Sequence, residues 1–217
     1  MRRHQWMEKV GEGFSGEVYR VYNEEEERES AIKIQKNFEG QEIFIGYHLN
    51  ELEGFVQTRD AWVQEGGTSC IEMELADGNL GQLVMREKFS LKDRLEVYFE
   101  IVYALEEAHI KMGFFHGDLR LQNILFQKTF GIRSYHIKGT NYIMRSKIRP
   151  LIADFGRSSL LPVGNVIQED DLSYLKVLQE KLFSPTILPL DPMSLVESKS
   201  YIPLLMDIGR FISEQRT

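Results

Sequence analysis

The stretch His116-Gly-Asp118-Leu-Arg120-Leu-Gln-Asn123 gathers a carboxylate, a cation and a carboxamide in a few residues. An aspartate beside an acceptor hydroxyl can orient it and take its proton. Asn123, further along the same stretch, can ligate a metal ion that bridges phosphate oxygens. Arg120 between them can neutralise charge on a transferred group. Asp154-Phe-Gly156 follows an apolar run and offers a second carboxylate, placed to hold magnesium. Taken alone, an Asp-Phe-Gly tripeptide is usually just a turn.

Two further groups lie upstream. Gly11-Glu-Gly13-Phe-Ser-Gly16-Glu-Val18 spaces its glycines as a phosphate-covering loop does. Only glycine lets a backbone turn tightly and bring its N–H groups against phosphate oxygens. Glycine-rich turns are common, but a strand rather than a helix follows this one, which disfavours a dinucleotide-binding fold. Lys33, within Ala31-Ile-Lys33-Ile, points opposite to its isoleucine neighbours on an alternating strand. By itself it reads as a surface lysine on a half-buried strand. After the glycine loop it can instead reach the α- and β-phosphates, and it then needs a carboxylate to hold it. Glu42, opening the next helix, is the best candidate. Together, in this order, these groups point to Mg2+-dependent transfer of the terminal phosphate of ATP to a hydroxyl.

The elements that must position them follow from periodicity. Val18–Tyr22 and Ala31–Ile34 are rich in β-branched and aromatic residues and read as strands joined by a solvated acidic turn, Glu24 to Glu27. The spacing of Ile43, Phe44, Tyr47 and Leu49 predicts a short helix over Gln41–Leu52. Ala61–Val63 and Cys70–Met73 flank Glu65-Gly-Gly-Thr68, a hairpin signal. Leu95, Phe99, Val102, Leu105, Ala108 and Met112 make one face of a long helix over Leu91–Met112, ended by Gly113. Leu172–Phe183 and Ile202–Ile212 also read as helices. Before Asp154, Tyr135–Lys138 and Tyr142–Arg145 read as an extra hairpin turning at Gly139-Thr-Asn, and Pro150–Ala153 as a strand. His136 in this hairpin has no metal-ligand spacing to another histidine and is taken as structural or surface. The picture is a strand-rich N-terminal lobe, a joint near Leu75 to Gly81 and a helix-rich C-terminal lobe. Ser184 to Ser200 carries Pro185, Pro189 and Pro192 and reads as a connector.

Bulk properties narrow the field. The 217 residues, 42% hydrophobic and 27% charged, suit one large domain or two lobes sharing a cleft. A net charge of −7 argues against a broad nucleic-acid surface. The single cysteine, Cys70, rules out an internal disulfide framework and fits a reducing compartment, so we expect an intracellular protein, cytoplasmic or nuclear, or acting in a host cell if viral. No apolar run approaches membrane-spanning length, and no apolar signal core follows the basic N-terminus.

With these residues in hand, the chain resembles eukaryotic-type protein kinases over residues 8 to 183. The resemblance implies an α+β fold, a two-lobed kinase domain over 1–217: an antiparallel-sheet N-lobe (1–75), a hinge (76–81) and a reduced helical C-lobe (82–217) with a hairpin insertion at 127–150. It implies Asp118 as catalytic base, Asn123 and Asp154 as magnesium ligands, and Lys33 paired with Glu42. Gly11, Gly13 and Gly16 would cover the phosphates. Val18 and Ala31 would sandwich adenine, Met73 would be the gatekeeper, and Glu74-Leu75-Ala76 the hinge that hydrogen-bonds the ring. Within the family the chain is similar to haspin-like kinases and compact kinases of large DNA viruses. Asp171, or Asp170 by one register, would then be the buried acid bracing the catalytic loop.

It also departs from the family. Gly117 replaces the arginine that pairs with a phosphorylated activation loop, and the run from Gly156 to Asp170 is too short for such a loop. We therefore expect an enzyme that is constitutive or switched by a protein partner. Arg120 favours serine or threonine as the acceptor in a protein substrate. His-Gly-Asp-Leu is also how small-molecule kinases write this loop, and the atypical kinase of a tRNA-modification assembly, mainly an ATPase, shares it. Those readings, and a pseudokinase, stand as alternatives.

Overall fold

The computed structural model describes residues 4–13, 16–36, 40–64, 66–85, 89–129, 131–184 and 188–215. Phe14 and Ser15 of the glycine loop, Glu65 of the expected turn, Phe130 of the expected insertion and Pro185 of the connector lie outside them. The chain divides into two compact units. The first draws on Met1–Glu51, Val56–Ala76 and Asp154–Gly156, the second on Leu52–Phe55, Asp77–Ala153 and Arg157–Thr217.

The first unit is built on an antiparallel sheet. Its strands are β1 (His4–Gly13), β2 (Gly16–Asn23), β3 (Arg28–Gln35), β4 (Thr58–Val63) and β5 (Ser69–Glu74), in the spatial order β1-β2-β3-β5-β4. Helix α1 (Gly40–Leu49) lies between β3 and β4 in the chain. Val21, Ile32 and Cys70 are removed from water, and Tyr19, Ile34 and Trp62 pack around them. Glu24 to Glu27 form the exposed turn expected of them. Strand β1 was not legible in the sequence. It is exposed along most of its length, and register shifts at Trp6/Glu8 and Lys9/Gly11 break its alternation. Helix α1 ends at Leu49 rather than Leu52 because the next residue competes for the chain. The Asn50 amide accepts from the Thr58 N–H at 2.9 Å and donates to the Thr58 carbonyl at 2.7 Å.

The second unit contains β6 (Gly78–Asn79), α2 (Leu80–Val84), α3 (Leu91–Met112), β7 (Phe114–Phe115), β8 (Ile124–Lys128), β9 (Arg133–Ile137), β10 (Thr140–Met144), β11 (Ile148–Ile152), β12 (Ser159–Leu160), α4 (Glu169–Phe183) and α5 (Ile202–Glu214). Helix α3 matches the expected span. The Ser90 hydroxyl caps its N-terminus by accepting from Asp93 N–H, and Gly113 closes it with φ 66°. Its Leu95, Phe99, Val102, Leu105 and Ala108 are buried, along with Leu172 and Leu175 of α4 and Leu205 and Ile208 of α5. Strands β11, β8 and β6 form one small sheet, and β12 pairs with β7.

The expected hairpin is β9–β10, but its turn is Lys138-Gly139, with φ of 44° and 83°, not Gly139-Thr-Asn. Two buried acids of α3 fasten it. Glu96 accepts the N–H groups of Arg145 and Ser146, and Glu100 accepts from Arg133 and the Tyr135 hydroxyl. His136 is exposed on this hairpin. In the described part of the connector, Leu190 and Leu195 are buried. Among the described residues, no helix is long and apolar enough to cross a membrane.

Candidate active site

Strand pairing in the first unit sets out one row of candidate residues. Val18 pairs with Gly11 on β1 and with Lys33 on β3, while Ala31 pairs with Met73 on β5. Directly paired residues share a sheet face, as do residues two apart on a strand. Gly11, Val18, Ala31, Lys33 and Met73 therefore occupy the same face. Lys33 is not the surface lysine its strand pattern suggested in isolation: it is 6% exposed. Its Nζ donates to Glu42 Oε1 at 2.6 Å and to Asp154 Oδ1 at 2.8 Å. Burial pushes the lysine pKa down, but Glu42 and Asp154 outweigh it, and the amine titrates above its ordinary value.

Gln35, two residues beyond Lys33, completes the arrangement and was missed in the sequence. Its Nε2 donates to the second Glu42 oxygen at 3.1 Å, so both oxygens of the acid are held from β3. Asp154 has φ 67°, a left-handed backbone uncommon outside glycine, and such outliers cluster at functional sites. At the end of β5, the Glu74 N–H is bonded to the Gln57 carbonyl at 3.0 Å, and Leu75 and Ala76 follow the strand without regular structure.

Two of the three glycines of the loop, all of them described, differ. A Cβ on Gly16 would lie 2.1 Å from the Ile34 carbonyl oxygen, so packing alone demands glycine there. Among the described residues, a Cβ on Gly13 would meet nothing within 4 Å, and its φ is not positive. Packing among the described residues thus does not by itself demand glycine at position 13.

The second unit assembles the His116–Asn123 stretch between β7 and β8. Asp118 is 6% exposed, and its Oδ2 accepts from Arg120 Nη2 at 2.7 Å and Asn123 Nδ2 at 3.1 Å. Asn123 Nδ2 also donates to the Asp118 carbonyl at 2.8 Å. These bonds assign the amide and turn its carbonyl oxygen to the role of acceptor. Arg120, exposed over 55% of its side chain, is folded onto the Asp118 carboxylate.

Three residues brace this loop. His116 is fully buried, with Nε2 at 3.1 Å from the Ala153 carbonyl and Nδ1 at 3.1 Å from the Asp118 N–H. Since an N–H can only donate and a carbonyl only accept, the imidazole carries its proton on Nε2. Asp171 is 1% exposed and accepts the N–H groups of His116 at 2.9 Å and Gly117 at 3.0 Å. This resolves the choice between neighbouring acids, because Asp170 is exposed. Burial pushes the Asp171 carboxyl up, and the bonds from His116 and Gly117 offset only part of that. Ser158 donates from its hydroxyl to the His116 carbonyl at 3.0 Å. Gly117 has φ 73°, and a Cβ there would lie 2.6 Å from the Arg157 carbonyl, so the tight turn explains the glycine in place of the family's arginine. Burial and the Asp118 carboxylate push the Tyr174 hydroxyl up.

Each unit holds one residue with an oxygen of the kind magnesium takes, Asp154 in the first and Asn123 in the second. Asn123 offers a carbonyl oxygen, and Lys33 engages only one of the two Asp154 oxygens. Among the described residues no group of three or more His, Cys, Asp or Glu forms a metal cage. Magnesium with nucleotides ordinarily takes one or two protein oxygens and fills its shell with phosphate and water.

The family described as Protein kinase domain matches residues 4–170. Probable kinase 098L of Invertebrate iridescent virus 3 is 29% identical over 154 residues, 65% of this chain and 29% of that protein. Calcium/calmodulin-dependent protein kinase type II of Schizosaccharomyces pombe is 24% identical over 143 residues, 58% of this chain and 27% of that protein. Serine/threonine-protein kinase Nek6 of Oryza sativa subsp. japonica is 25% identical over 175 residues, 74% of this chain and 29% of that protein. The chain thus spans under a third of the length of these curated relatives. With the family match covering residues 4–170 and an α+β architecture beneath it, the chain belongs to the protein kinase family.

Proposed function

We propose that the chain is an ATP- and magnesium-dependent protein kinase acting on serine and threonine hydroxyls. The observation that carries the reading is the closed Lys33–Glu42 ion pair with Asp154 on the same amine. Protein kinases need that pair in place for turnover. Bound magnesium supplies charge neutralisation of the phosphate oxygens. Lys33 Nζ donates to the α- and β-phosphates, and the backbone at Gly13 lies against them. Val18, Ala31 and Met73 line the adenine, whose polar edge falls to the backbone of Glu74 to Ala76. Asn123 and Asp154 each offer one oxygen to the metal.

Asp118 orients the acceptor hydroxyl and takes its proton as the new O–P bond forms and the bond to the leaving diphosphate breaks. Arg120 holds the Asp118 carboxylate and presents a cation beside the transferred group, which favours serine or threonine over tyrosine. The rice relative named a serine/threonine kinase supports the same acceptor class. Control by activation-loop phosphorylation is absent from this reading. Between Arg157 and Glu169 the chain holds the short β12 and turns, and Gly117 replaces the arginine such control uses.

Purified protein incubated with magnesium, γ-labelled ATP and basic and acidic protein substrates tests this. Label should appear on serine or threonine and fall at least about a hundredfold in Asp118→Ala. Phosphotyrosine alone would overturn the acceptor class. Free phosphate without labelled protein would favour an assembly-bound ATPase or a small-molecule kinase.

A further inference from the structure

We propose that Gln35 is a positioning residue: it holds Glu42 closed on Lys33, so that β3 itself keeps the phosphate-binding amine in place. The proposal rests on the reading of Lys33 as that amine given above.

Lys33 and Gln35 are two apart on β3, so their side chains leave the same face of the sheet. Both end on one carboxylate. Lys33 Nζ donates to Glu42 Oε1 at 2.6 Å, and Gln35 Nε2 donates to Glu42 Oε2 at 3.1 Å. All three residues are buried. A carboxylate held by one oxygen can pivot about its own bond, whereas one held by both has its plane fixed. Helix α1 is thereby tied to the sheet at its first turn, as Asn50, just past its last residue, ties the other end to Thr58.

Packing does not account for a glutamine at this position. A carboxylate only accepts, so the amide must face Glu42 with its nitrogen. Its carbonyl oxygen is then left buried without a hydrogen-bond partner among the described residues. An unpaired buried carbonyl destabilises a fold, and an apolar side chain of this length would fill the space without one. What the amide does supply is the second donor on Glu42. Lys33, Gln35, Glu42, Asn50 and Thr58 all belong to the first unit. Closure of the pair is thus built from the first unit alone. That suits a chain whose run from Gly156 to Asp170 is too short for a phosphorylated loop.

Gln35→Met keeps the length of the side chain and removes both the donor and the unpaired oxygen. It should lower kcat for phosphate transfer about tenfold, the equivalent of one hydrogen bond to a charged group. The KM for the protein substrate should stay unchanged. Lys33 should also become severalfold more reactive towards acetic anhydride, read by mass spectrometry against the exposed Lys176. Both measurements repeated in a Glu42→Ala background close a double-mutant cycle. A residue that acts through Glu42 has nothing to hold there, so Gln35→Met should change neither quantity. Equal effects in the two backgrounds would mean that Gln35 only packs, and would overturn the proposal. So would wild-type turnover, or wild-type Lys33 reactivity, in Gln35→Met. Gln35→Asn keeps the amide but shortens its reach by a methylene, and it carries the same cycle if the methionine variant does not fold. Absence of any phosphotransfer by the wild type would overturn the reading of Lys33, while the reactivity cycle would still decide whether Gln35 holds Glu42.

Discussion

Lys33 and Glu42 meet at 2.6 Å with only 7% and 5% of their side chains exposed. Such a pair is costly to break from one side, because the remaining charge stays out of water. Glu42→Gln leaves Lys33 with Asp154 as its carboxylate. We expect a loss of about 2 kcal/mol in stability. Phosphotransfer should drop about a hundredfold through misplacement of the amine. Denaturant unfolding and labelled-phosphate transfer measure the two effects separately.

The neighbouring acids Asp170 and Asp171 should behave as opposites. Asp171→Ala leaves two backbone N–H groups of the catalytic loop without their buried acceptor, worth about 3 kcal/mol together. Asp170→Ala removes an exposed side chain and should stay within about 0.5 kcal/mol of wild type. Thermal melts of the two variants side by side decide this, and equal effects would contradict the bracing role.

Gly13 and Gly16 should separate function from fold. Gly16→Ala drives a methyl group into the Ile34 carbonyl and should cost about 1–3 kcal/mol. Gly13→Ala meets open space and should leave stability within about 0.5 kcal/mol. Its effect should appear instead as a raised KM for ATP. Melting temperature and nucleotide kinetics on both variants read the contrast.

Glu72 gives the sheet a pH dependence of known sign. Burial pushes its carboxyl up, but hydrogen bonds from Asn23, Ser30 and His4 outweigh burial and hold it below the usual range. A carboxyl depressed on folding contributes stability above its unfolded pKa of about 4.3 and loses it as pH falls through the folded value. Wild type should therefore melt above Glu72→Gln at pH 7, and the gap should close on acidification. A gap that widens in acid would reverse the assignment.

Legibility in the sequence followed the physics of each element. Helix α3 was readable end to end because a capping serine, an apolar stripe and a left-handed glycine all act locally. The hairpin turn was misplaced because Lys138 takes a positive φ that lysine does not advertise. Strand β1 was hidden because its bulges and exposure erase any alternation. The candidate chemical residues were legible as types in order, and Lys33 with Glu42 came out as a pair. Gln35 was not, since its role appears only once helix α1 brings Glu42 back against β3. Neighbouring acids at 170 and 171 differ only in which face of α4 they occupy, a distinction of burial rather than composition.

Lys138 and Gly139 turn at the exposed tip of a hairpin whose base is bound to α3 through Glu96 and Glu100. A segment fastened at its root and open at its tip is a mounting point. An epitope or fluorogenic sequence spliced there adds a loop whose closure cost rises only about 0.6 kcal/mol per doubling of length. The chain could thus be tracked by microscopy or captured on a surface through this tip, leaving both termini and the Lys33 and Asp118 groups as they are.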